Sequence, residues 1–126
     1  MYDNFTHDGA DEPVIEIHTK EIQEHKLLTV SGEIDAFTAP HFSQALKSFV
    51  ERNANHLIID MHNVRYMDSS GLNVLFFATE RLSPKRYSVN LVSCNPPLIR
   101  ILTITQLNQK IAVHPNMDDA MQSLYS

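Results

Sequence analysis

The run Tyr66-Met67-Asp68-Ser69-Ser70-Gly71-Leu72-Asn73-Val74-Leu75 sets two hydroxyls between a carboxylate and a glycine. An apolar pattern at spacings of three and four follows at once: Leu72, Leu75, Phe76, Thr79 and Leu82. Small capping residues ahead of such a stripe predict a helix N-terminus. A serine there is exposed, and free backbone N–H groups and the helix dipole favour negative charge beside it. The chemistry this supports is acceptance of a phosphate without unfolding, which makes Ser69 the candidate phosphorylation site. The plainer reading of Ser69-Ser70 is an N-cap pair. A serine-hydrolase role is not supported: Ser69 is not in a Gly-x-Ser-x-Gly elbow, and no base for it is identifiable.

The elements that must position this serine are legible in outline. Val14, Ile15 and Ile17 predict a first strand, and the polar Thr19–His25 stretch a turn. Leu27, Leu28 and Val30 then make a hairpin partner ending near Gly32. Thr38 is a candidate cap for the first helix, with Pro40 in its first turn and Phe42, Ala45, Leu46, Phe49 and Val50 on one face. Asn53 to Asn55 ends it. The apolar run from His56 to Met61 suits a central strand buried on both faces. The serine helix follows and stops at Pro84. Tyr87–Ser93 reads as a strand, Pro96-Pro97 opens a third helix, and Ile111–Val113 is a short edge strand. Asn116 caps a last helix with Asp118 and Asp119 in its first turn. Strands alternating with helices imply an α/β sheet, and the initial hairpin makes it mixed.

Composition bounds what this domain does. A chain of 126 residues is one domain. Residues 1–12 read as a flexible acidic tail and residues 13–126 as the domain. A formal charge of −5 with no basic cluster argues against nucleic-acid binding. Cys94 is the sole cysteine, which rules out an intrachain disulfide and, with no apolar leader, points to the cytoplasm. No stretch is apolar enough for a membrane span. The seven histidines show no ligand spacing, so no metal site is expected, and no glycine-rich phosphate cradle indicates a cofactor. Asp35 and Asp68 suit turns and caps better than paired acid catalysis, so no catalytic residue is assigned. Phe76 and Phe77 cannot share one helix face: one is expected in the core and the other as an exposed partner anchor.

Four blocks then carry a resemblance: Gly32-Glu33-Ile34-Asp35, Thr38-Ala39-Pro40, Leu57-Ile58-Ile59-Asp60 and Met67-Asp68-Ser69-Ser70-Gly71-Leu72. Their order and spacing resemble STAS domains of the bacterial anti-sigma factor antagonists, over about residues 13 to 125. The resemblance implies a single α/β STAS domain, a mixed four- to five-stranded sheet with helices packed mainly on one face. It implies a non-catalytic switch that binds a serine kinase/anti-sigma factor of the histidine-kinase-like ATPase fold and lets go when phosphorylated. A PP2C-type phosphatase would remove the phosphate.

Matched by position, Ser69 is the acceptor, and Asp35, Asp68, Ser70, Gly71, Leu72 and Asn73 are the partner-binding residues, with Gly71 leaving room for a partner backbone. Many members have glycine where Asn73 stands and Gly-Leu where Gln106-Leu107 stands; neither departure removes the acceptor, and Asn73, one residue past Leu72 on the partner-facing edge, bears on partner identity. A rival of the same fold is a constitutive scaffold subunit of a phospholipid-transport ABC complex.

Overall fold

A computed structural model describes residues 15–22, 25–52, 56–82, 84 and 87–125. The expected tail, Val14 and the Asn53–Asn55 helix end lie outside the described residues. Five strands, β1 (Ile15–Ile22), β2 (His25–Ile34), β3 (Leu57–Met67), β4 (Val89–Val92) and β5 (Ile111–His114), form one sheet in the order β1-β2-β3-β4-β5. β1 is antiparallel to β2, and the remaining pairs are parallel.

Helices α1 (Ala39–Arg52), α2 (Ser69–Leu82) and α3 (Pro96–Ile104) make the three parallel crossovers, and α4 (Met117–Tyr125) ends the chain. Because the strand order advances steadily and such crossovers share one hand, α1, α2 and α3 fall on one face. Their Phe42, Leu46, Phe49, Val74, Leu75, Ala78, Leu82, Leu98 and Leu102 meet Leu28, Val30, Leu57, Ile59 and Leu91 in the main core. The other face is covered in part by α4, whose Ala120 packs on Ile58 and Val92. Asn116 caps α4 as expected, its Oδ1 accepting from the Asp119 N–H at 2.8 Å. Among the described residues, no helix is long and apolar enough to cross a membrane.

Four expectations need correction. The Thr19–His25 turn is in large part strand: pairing continues to Ile22 opposite His25. An edge strand is paired on one side only, so β1 carries polar side chains on exposed positions without losing its ladder. β2 does not end near Gly32 but runs to Ile34, and Gly32 adopts φ 108° at an irregularity in the β2–β3 register. β3 likewise continues six residues past Met61, to Met67. Between Asp60 and Tyr66 it twice carries an extra residue against β2, so Met61, Val64 and Met67 point inward at a spacing of three rather than two. Finally, β4 is confined to Val89–Val92, within the longer Tyr87–Ser93 stretch read as strand.

Candidate functional site

β2 and β3 end side by side, Ile34 opposite Met67, and each hands over to a helix through an aspartate. After β2, the Asp35 carboxylate accepts the N–H groups of Phe37 and Thr38 at 2.9 and 3.0 Å. The Thr38 hydroxyl is turned back toward the strand end. It accepts from the Asp35 N–H at 2.9 Å and donates to the Glu33 carbonyl at 2.8 Å. Thr38 therefore pins the turn into α1 instead of capping the helix with its hydroxyl as expected, and the Asp35 carboxylate holds the Phe37 and Thr38 N–H groups of that turn. The Thr38 N–H holds the Asp35 carboxyl below its ordinary range. Desolvation opposes that shift, while the Phe37 N–H and the Thr38 hydroxyl add to it.

After β3, Asp68 repeats the device: its Oδ1 accepts the Ser70 N–H at 2.8 Å, two residues on. The cap of α2 is thus the aspartate, not the serine pair. That frees Ser69. It is exposed at the first position of α2, and among the described residues its hydroxyl has no hydrogen-bond partner. Ser70 and Leu72 are half-buried, and Asn73 is exposed. Asp35, Asp68 and Ser69 therefore come to one rim of the sheet, and Asn73 follows one turn along α2.

Gly71 does not fit the expected role of leaving room for a partner. It is buried, and a Cβ there would collide with Met67 Cγ and lie 2.6 Å from Met67 Sδ and 2.9 Å from Ile34 Cγ2. The close approach that excludes a side chain is internal: α2 presses against the ends of β2 and β3.

The face of α2 also differs from the expected stripe. Gly71, Val74, Leu75, Ala78, Thr79 and Leu82 are buried, so the inward face is turned away from Phe76. Neither aromatic enters the core. Phe76 is 46% exposed with Lys110 Nζ 5.3 Å from its ring centre, and Phe77 is half-buried between Lys47 and Arg81. Cys94 is exposed after β4.

Outward from that face, Ser69, Leu72, Asn73 and Phe76 form one stripe at spacings of three and four. They line one wall of a 430 Å³ groove whose other wall is the turn after α3, including Gln106, Leu107 and Lys110. Sequence reading missed this second wall. Its one signal was Gln106, which stands where the resembling family has glycine and which adopts φ 64°.

A bare hydroxyl at a strand–helix junction, flanked by an aspartate cap and an open groove, defines a small α/β domain built to display a surface group. A family model described as the STAS domain matches residues 16–120, and the chain belongs to that family. An anti-sigma-B factor antagonist of Listeria monocytogenes is 36% identical over 90 residues, spanning 71% of this chain and 79% of that protein. The crystal structure of an anti-sigma factor antagonist from Mycobacterium paratuberculosis shares 29% identity and a TM-score of 0.83, over 89% of this chain and 95% of that one. The Bacillus cell fate determinant SpoIIAA, in its phosphorylated form, shares the fold at a TM-score of 0.69 and 14% identity, over 86% and 99% of the two chains.

Proposed function

We propose that this chain is an anti-sigma factor antagonist: a non-catalytic protein that binds a serine kinase/anti-sigma factor while Ser69 is unmodified and releases it once Ser69 is phosphorylated. The partner has the histidine-kinase-like ATPase fold, and a PP2C-type phosphatase resets the switch. The observation that carries this reading is the unengaged, exposed Ser69 hydroxyl, with Asp68 taking over the capping task that would otherwise occupy it. The relatives' names support the antagonist reading over a transporter scaffold.

The energetics favour a switch read at an interface. Phosphorylation adds about −1.5 to −2 charges and strong acceptor oxygens. The N-terminus of α2 favours that charge by roughly 0.3–1 kcal/mol, whereas a carboxylate about 4 Å away in water opposes it by roughly 1 kcal/mol. These nearly cancel inside the domain, so the fold is retained. A partner covering Ser69 would have to bury an unmatched dianion. A hundredfold loss of affinity requires only about 2.8 kcal/mol, within the cost of an unpaired interfacial charge.

The test is phosphosite mass spectrometry after incubation with the kinase encoded nearest to this chain. Modification at Ser69, absent in Ser69→Ala, is the expected result. An unmodified Ser69, or a Ser69→Ala protein modified and released like the parent, overturns the reading.

A further inference from the structure

We propose that the groove between α2 and the turn after α3 is a second contact for the same partner, that it takes an apolar side chain with a carboxylate nearby, and that Gln106 governs which partner is accepted. This rests on the partner-binding role proposed above.

Two independent observations meet in the groove. The first is its lining. Leu72, Phe76 and Leu107 are apolar, Ser69 lies on the same wall, and Lys110 is the only described cation that lines it. An open groove of 430 Å³ suits one large side chain from a partner rather than an enclosed small molecule. Ser69 and Phe76 are seven residues apart on α2, a rise of about 10 Å, so one docked surface covers both. Lys110 sits over Phe76 and 4.0 Å from Glu80, with both charged side chains more than half exposed. An ion pair so exposed and so long is readily exchanged for a partner's carboxylate. In a chain of net charge −5, this local cation selects an acidic contact.

The second observation is backbone strain. Gln106 is the only non-glycine described residue with positive φ, at 64°. A left-handed conformation disfavours any residue with a Cβ, and glycine would adopt it freely. The Gln106 backbone serves the turn, its N–H donating to the Thr103 carbonyl and its carbonyl accepting the Gln109 N–H, each at 3.1 Å. Its side chain makes no capping hydrogen bond to the short 3-10 turn that follows, Leu107–Gln109, and is exposed in the groove. The fold therefore gains nothing visible from glutamine at this point, and strain retained without a local benefit points to a role in recognition. The amide supplies both a donor and an acceptor to a docked segment.

The experiment is calorimetric titration of the unphosphorylated full chain with the nearest-encoded kinase, alongside thermal unfolding. Gln106→Gly is expected to unfold at a higher temperature yet bind several-fold more weakly, opposite signs that a purely structural residue does not produce. Phe76→Ala is expected to weaken binding about tenfold, and Lys110→Glu more than Lys110→Met. Wild-type affinity in Gln106→Gly and Phe76→Ala overturns the groove, and undiminished binding by Lys110→Glu overturns its acidic occupant. Those results leave phosphorylation of Ser69 intact, whereas a wild-type chain that the kinase neither binds nor modifies sinks the proposed function and its groove together.

Discussion

The Asp68 N–H donates to the Ile34 carbonyl at 3.0 Å, across the point where β2 and β3 both end. This bond couples two successive strand-to-helix turns: Asp35 follows Ile34 and opens the turn into α1, while Asp68 immediately precedes α2. The rim that displays Ser69 is thus built from matched parts, two parallel strands stopped in register and two carboxylates, Asp35 holding the N–H groups of the turn into α1 and Asp68 the Ser70 N–H of α2. Its geometry depends on internal contacts as much as on the exposed residues.

Gly71 tests that dependence. In an open helix, alanine would be favoured over glycine by about 0.5–1 kcal/mol. Here the added Cβ meets Met67 and Ile34, and overpacking of this kind costs about 1–3 kcal/mol. Gly71→Ala is expected to lower the urea midpoint, and Gly71→Ala/Met67→Ala to lose less than the sum of the two single changes. Full stability in Gly71→Ala with lost partner binding would instead place the glycine's role at the interface.

Removing the Asp68 carboxylate should loosen the start of α2. Asp68→Ala is expected to cost about 0.5–2 kcal/mol, the usual loss for an N-cap aspartate. Asp68→Asn keeps an acceptor for the Ser70 N–H and should cost much less. Equilibrium denaturation of the two variants separates the cap from the charge: equal losses would show that the hydrogen bond to Ser70 is not the stabilising part.

Much of this arrangement was legible from residue pattern. The Asn116 cap of α4, the strand through Ile58 and the placement of Asp35 and Asp68 on turns follow from local chemistry. The second half of β3 was not, because its bulges replace the two-residue alternation by Met61, Val64 and Met67 at intervals of three. The role of Gly71 was hidden because its neighbours across the turn, Ile34 and Met67, are brought there by tertiary packing. The same limit applied to Phe76, whose apolarity matched the helical period although the α2 face is set by Gly71, Val74 and Leu75. Buried Lys26, which donates to the Phe49 carbonyl, breaks the apolar pattern of the core in a way no periodicity reveals.

Asp35 gives a pH signature with a definite sign. Its folded-state pKa is lowered, chiefly by the Thr38 N–H, so its stabilising contribution is present above the unfolded value of about 4. That contribution is lost as pH falls through the lowered folded value. The stability difference between wild type and Asp35→Asn should therefore be full at about pH 7 and shrink in the acid range. Urea denaturation at the two ends of that window checks it, and a difference that grows on acidification would reverse the assignment.

Ser69 should be almost silent in the fold and decisive at the interface. Its side chain is exposed, makes no hydrogen bond among the described residues, and follows a helix cap supplied by Asp68. Ser69→Ala is therefore expected to change stability by less than about 0.5 kcal/mol, as for surface substitutions away from special features. The same variant should bind the kinase with wild-type affinity and remain bound in the presence of ATP, while the parent is phosphorylated and dissociates. Denaturation curves and time-resolved pull-down with and without ATP measure the two halves separately. A large stability loss in Ser69→Ala would mean that the hydroxyl serves the helix end, and a protein that must keep its serine engaged could not offer it freely to a kinase.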